Sequence, residues 1–219
     1  FLFVNNYFKK IPALFAAISF TFCDFNSFWI FWQHTDIAFL IPYSLYFIDK
    51  YFENNKIQYL FALSFFTLFA LTGGFPQMSV IFASVCGSFT IFKLFTKKEK
   101  KLINFLKLSF TFLIPLFICA GFIVEFKVYL DYMTSFNSRK AFAHLDLLDG
   151  LKMFFNKYIE KNHEIKGYQG LLAPLISIFV FYTIIHRIRL KKKIDGILIY
   201  SLILFFYSVI LTYNVFPVI

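Results

Sequence analysis

The sequence predicts an all-α fold, a polytopic transmembrane helical bundle of about seven spans. Three observations carry this expectation. First, 59% of the 219 residues are hydrophobic, 36 of them Phe, and the mean hydropathy is +0.69. A water-soluble domain of this length does not bury so much apolar surface. Second, the apolar residues come in continuous blocks. Several approach the roughly 20 residues that cross about 30 Å of hydrocarbon as a helix. A membrane β-barrel strand would alternate instead. Third, lysine and arginine cluster beside every second break between blocks.

The blocks place the spans in order. The first covers 8–22. The second, "IAFLIPYSLYFI" at 37–48, is short unless the preceding "WIFWQH" extends it. The third is Ile57–Thr72, the fourth 77–95 and the fifth 102–124. The sixth runs over 170–186 and the seventh over 196–213. All are expected to form one transmembrane domain over 1–219, with 125–169 as a long extracytoplasmic loop carrying interfacial helices around Leu148, Leu151, Met153 and Phe154. The chain opens on Phe1 and closes on "YNVFPVI", so an internal piece of a longer protein is expected, without a visible signal peptide.

Basic residues set the orientation. The connections 49–56, 96–101 and 187–195, with Lys9, Lys10, Lys93 and Lys107, hold 15 basic and 4 acidic residues. The opposite side, 23–36, 73–76 and 125–169, holds 7 basic and 8 acidic. Lys and Arg stay on the cytoplasmic side, beside anionic lipid. The formal charge of +10 is therefore a topology signal, and no nucleic-acid-binding face or phosphate loop accompanies it. Trp29 and Trp32 suit an interfacial belt at the outer end of the first hairpin. Cys23, Cys86 and Cys119 have no metal-ligand spacing and read as small buried hydrophobes. Lys93, Lys107 and Glu125 lie near span ends, where long side chains snorkel.

Three outward-facing stretches are candidates for function. In "LTGGFPQMSV", Gly73 and Gly74 permit the backbone angles of a tight reversal. Pro76 starts the next helix without losing a paired amide. A turn explains these residues but does not require Gln77, whose amide and the free N–H groups beside it suit an anion. "WQHTD" offers His34 and Asp36, either as a solvated interfacial loop or as an imidazole and carboxylate that handle a proton or metal. Two such residues alone do not make a metal site. In 125–169, Asp131, Ser135, Ser138, Arg139 and Lys140 are the first polar groups. Arg139 with Lys140 reads either as a solvated basic pair or as a phosphate contact. His144, Asp146 and Asp149 are either ordinary surface groups or metal ligands.

The stretch from Thr35 to Val80, with its proline-containing span, connection, apolar span and Gly-Gly break, resembles bacterial YfhO-type membrane proteins, relatives of the GT-C glycosyltransferases. "LDYMTSFNSRKAF" resembles their serine-containing outer segment. "GYQGLLAPLISI", with Tyr168 and Gly170, resembles the start of their following span. Phe75 stands where histidine is frequent in that family. The resemblance implies a GT-C-like bundle in the bacterial inner membrane. It implies sugar transfer from a lipid-linked, polyprenyl-phosphate donor to a cell-envelope acceptor on the outer face. It also implies a catalytic acid, often with a divalent metal, in a loop upstream of Phe1. Gly73, Gly74, Pro76 and Gln77 would then shape the outer cavity, Arg139 would contact phosphate, and Tyr168 would set the start of the sixth helix. Two other readings stand beside this one. A transporter or flippase for a lipid-linked or small substrate would be expected to place ionisable groups deep in the spans. A non-catalytic membrane assembly subunit is the other.

Overall fold

The computed structural model describes residues 1–22, 26, 33–73, 76–96, 101–125, 181–182, 184–190 and 196–213. Every regular element among them is helical: α1 (Leu2–Asn5), α2 (Lys10–Thr21), α3 (Gln33–Asn54), α4 (Ile57–Thr72), α5 (Pro76–Thr96), α6 (Lys101–Ile118) and α7 (Gly196–Tyr213). The chain divides into two compact units, one of residues 1–20 and 29–139, the other of 21–28 and 140–219.

In the first unit α3 is the central helix. It packs on both α4 and α5, α4 packs on α6, and α1 lies against α3. Two partners require two buried stripes, and the sequence of α3 supplies them. Ile37, Ala38, Ser44, Leu45, Ile48, Asp49 and Phe52 are all buried, at helical spacings of three and four. The other helices each bury one narrow seam. On α4 it is Leu60, Leu63, Thr67 and Ala70, and on α6 it is Leu108, Thr111 and Pro115. On α5 it is Met78, Phe82, Cys86 and Phe89. At mid-seam the thiol of Cys86 faces the hydroxyl of Ser44, two small side chains that let α3 and α5 come close. Cys86 and Cys119 are both free thiols and buried, as expected of small hydrophobes; Cys23 lies outside the described residues.

What these helices leave uncovered is apolar. Phe61, Phe65 and Phe69 form an exposed row at intervals of four along α4, and Phe105, Phe110 and Phe117 stand exposed on α6. Met78–Thr96 and Lys101–Ile118 are long and apolar enough to cross a membrane, and only 28% and 17% of them is buried. A helix in the core of a soluble protein would be covered on most sides, so this exposure favours lipid as the surrounding medium. Ser84, Thr72 and Ser201 are exposed, yet each donates to a carbonyl of its own helix four residues back, at 2.8–3.0 Å. The buried Thr67 and Thr90 make the same bond, a general habit of hydroxyls within helices.

The connections differ from expectation at both ends of α3, and most plainly at its C-terminus. Residues 49–54 form the last turns of α3 rather than a loop, and only Asn55 and Lys56 join α3 to α4. Asn55 adopts φ 53, the left-handed conformation that ends many helices. Its amide still donates to the Tyr51 carbonyl at 2.7 Å. After α6 the ladder continues through Cys119, whose amide donates to Pro115 at 2.9 Å, into the helical residues 120–125.

In the second unit the described residues are helical over 181–182, 184–189 and in α7. Ile184 and Tyr200 are buried there, and the Tyr182 and His186 rings stack at 5.9 Å.

Candidate functional site

The first unit carries polar groups at both ends of its bundle. One end is marked by the contact of α3 with the α4–α5 turn. A Cβ on Gly73 would lie 2.9 Å from Ile37 Cγ1 and 3.1 Å from the Phe69 carbonyl oxygen. Gly73 itself has φ −67. This corrects the expectation that Gly73 serves by unusual backbone angles: it is needed because the start of α3 leaves no room for a side chain. On the far side of the turn the Ser79 hydroxyl donates to the Ala70 carbonyl at 2.6 Å, joining α5 to the last turn of α4. Among the described residues, packing at Gly73 ties the end of α4 to α3, and this side-chain hydrogen bond ties α4 to α5.

This contact brings together two stretches read separately from sequence. His34 and Asp36 occupy the first turn of α3, next to Ile37. The Gly73 turn meets this stretch through Ile37, and α5 begins three residues further along the chain, at Pro76 and Gln77. "WQHTD" is therefore helical from Gln33 onward rather than a loop. Asp36 is exposed and sits in the first helical turn, where a negative charge complements the helix dipole. His34 and Asp36 are two residues apart, about 200° around the helix, so they do not face a common ligand. Among the described residues no three His, Cys, Asp or Glu side chains gather as a metal-binding group. The described residues do not fit the divalent metal that the family resemblance implies. Gly74, Phe75, Trp29, Trp32, Arg139, Tyr168 and the polar groups of 126–169 lie outside the described residues.

The opposite end holds a cluster that the sequence reading missed. Asp49 is only 1% exposed. Asn6 Nδ2 donates to its Oδ2 at 2.9 Å, and Tyr7 Oη donates to its Oδ1 at 2.7 Å. The Lys93 ammonium forms an ion pair with Oδ1. Lys93 also lies over the Tyr7 ring at 5.1 Å and the Phe89 ring at 5.4 Å. Phe3 packs edge-on against Tyr7 and Phe89. Residues 1–8 thus strap α3 to α5. A second bond at this end runs from Tyr51 Oη to Asn104 Oδ1 at 3.0 Å, linking α3 to α6. Lys93 is therefore not a snorkelling side chain but the paired counter-charge of a buried carboxylate. The spacing held a hint: Leu45, Asp49 and Phe52 continue one buried stripe.

Chemically the cluster is closed. Both carboxylate oxygens accept from donors, which is what a buried charge requires. Burial first, then the hydrogen bond to Asp49 and its negative charge, raise the Tyr7 phenol above its ordinary value of 10.0. Tyr7 stays protonated and donates. A raised phenol contributes stability that is complete below its unfolded value and is lost as pH climbs through the folded one. Unfolding midpoints of the wild type should therefore fall more steeply above pH 10.0 than those of Tyr7→Phe. Parallel pH profiles for the two proteins would contradict this.

Compared with protein-family models, curated proteins and solved structures, the chain matches none.

Proposed function

We propose that this chain is part of a multi-pass inner-membrane protein of the YfhO/GT-C type, one that transfers sugar from a polyprenyl-phosphate donor to a cell-envelope acceptor at the outer face. The observation that carries the reading is the meeting of the two outward stretches. The start of α3, with His34 and Asp36, packs beside the Gly73 turn that leads to Gln77. Within the first unit Lys93 lies at the other end, where it meets Asn6, Tyr7 and Asp49, and Lys9, Lys10 and Lys50 adjoin these residues in the chain. Such a basic end supports a cytoplasmic side for this part of the bundle. Order and spacing of the sequence motifs support the family.

In this reading the donor phosphate is held by Arg139, through a charge-assisted contact of the kind guanidinium makes with phosphate oxygens. Gln77, at the start of α5, orients the same group through its amide and the free N–H groups of the helix end. A carboxylate positions or deprotonates the acceptor hydroxyl. Asp36 is not assigned that role: it lies in the first turn of α3, where its charge complements the helix dipole.

Transfer of radiolabelled sugar from the polyprenyl-phosphate donor, measured with full-length protein in membranes, tests the function. Arg139→Ala and Gln77→Ala should each lower the rate about tenfold or more, the scale of losing a charged or oriented contact to a leaving group. Unchanged rates in both variants would remove the assignment. Orientation is tested separately in intact cells. Gly74→Cys should react with a membrane-impermeant maleimide and Lys98→Cys should not; the reverse pattern would invert the topology.

The transporter reading gains one observation, the buried Asp49–Lys93 pair. It lies close to the helix ends and every partner is satisfied, which suits a structural tie better than a site that must release its cargo.

A further inference from the structure

We propose that the lysine-rich end of the first unit is a docking surface for anionic phospholipid headgroups. The inference rests on the multi-pass reading but not on sugar transfer.

Of the lysines at this end, Lys50 is paired with Glu53 and Lys93 with Asp49. Lys9, Lys10, Lys56 and Lys101 are exposed and have no ion-pair partner among the described residues. The internal bonds fix them at one end. Lys9 and Lys10 directly follow the Tyr7 strap, whose hydroxyl is anchored on Asp49. Lys56 follows the last turn of α3, and Lys101 stands one turn before Asn104, the partner of Tyr51. Each is at the start of a helix that leaves this end: α2, α4 or α6. A helix start adds to a lysine's positive field instead of offsetting it, and no acidic group among the described residues compensates it, which leaves room for an anion from outside.

The next residue in each case says what kind of partner. Ile11, Ile57 and Leu102 follow Lys10, Lys56 and Lys101, and they are 83%, 65% and 70% exposed. Three helices therefore present the same step, an ammonium with no ion-pair partner among the described residues followed by an exposed aliphatic side chain one rise further along. A soluble acidic protein would meet the charge but leave these apolar groups wet. A phospholipid layer meets both, with phosphate at the lysine and acyl chain at the aliphatic residue.

The test uses the full chain reconstituted in vesicles of phosphatidylcholine with 30% phosphatidylglycerol, reading the enrichment of labelled lipid beside the protein. Phosphatidylglycerol should be enriched over phosphatidylcholine by roughly fivefold, the factor that corresponds to about one lysine's worth of surface attraction. The enrichment should collapse in 1 M salt, and in the variant Lys9→Gln/Lys10→Gln/Lys56→Gln/Lys101→Gln. The all-arginine counterpart should keep it. Should the glutamine variant not fold, Lys9→Gln/Lys10→Gln alone must show a partial loss. Equal occupancy of the two lipids around the wild type, or full enrichment around the glutamine variants, overturns the proposal. Displacement of the lipid by inorganic phosphate beyond that by chloride of equal ionic strength does so too, since it would indicate a pocket for free anion. Loss of sugar transfer leaves this readout untouched, so the two proposals fail separately.

Discussion

Replacing Asp49 by Ala is expected to lower the unfolding free energy by about 3–5 kcal/mol, the scale of removing one partner from a buried ion pair. The effect is large because three donors lose their acceptor together. Lys93, with its side chain 13% exposed, is left as a nearly buried charge. Asn6 Nδ2 and Tyr7 Oη are left without the oxygens they donate to. The strap of residues 1–8 then holds to α3 and α5 through Phe3 and packing alone. Lys93→Met should cost less, since Asp49 keeps two hydrogen bonds. Asp49→Ala/Lys93→Met should cost less than the sum of the single changes, because removing both charges leaves neither uncompensated. Unfolding measured in lipid nanodiscs decides this. Additive costs, or an Asp49→Ala loss below about 1 kcal/mol, would show that the pair is solvated and carries little.

Gly73→Ala is expected to cost about 1–3 kcal/mol, the usual scale for forcing an extra carbon into a filled space. The new methyl would stand 2.9 Å from Ile37 Cγ1, 3.0 Å from its Cδ1 and 3.1 Å from the Phe69 carbonyl oxygen. Ile37 is fully buried, so its side chain has little room to retreat, and the carbonyl belongs to the helix itself. In an Ile37→Ala background the same substitution should be clearly cheaper, since two of the three close atoms are gone. The cycle separates space from backbone conformation. If alanine at position 73 costs the same with and without the isoleucine side chain, the glycine serves the turn's geometry and not the approach of α3. Because this contact also joins the stretch holding His34 and Asp36 to the one leading to Gln77, Gly73→Ala should disturb any outer-face activity more than its distance from Arg139 in sequence suggests.

The limits of α4 agree with the apolar block Ile57–Thr72, and α5 and α6 begin within one residue of expectation. Long apolar runs need only local information, since each residue prefers hydrocarbon whatever its neighbours are. The second block was read too short for the opposite reason. "QHTD" and "DKYFEN" look like water-facing connections when each residue is weighed by itself, yet both belong to α3. Asp49 can be buried because its donors arrive from residues 42 to 43 positions earlier in the chain and from Lys93 on α5. Hydropathy does not contain those partners.

By itself, then, the sequence determined that the described chain is helical and that its helices carry more apolar surface than they can bury against each other, because those properties are sums over single residues. Which lysines are paired and which are bare, why position 73 must be glycine, and that His34 and Asp36 adjoin the Gly73 turn were decided only by tertiary structure. Each depends on the distance between groups far apart in the chain, and for charges and close-packed atoms that distance sets the energy.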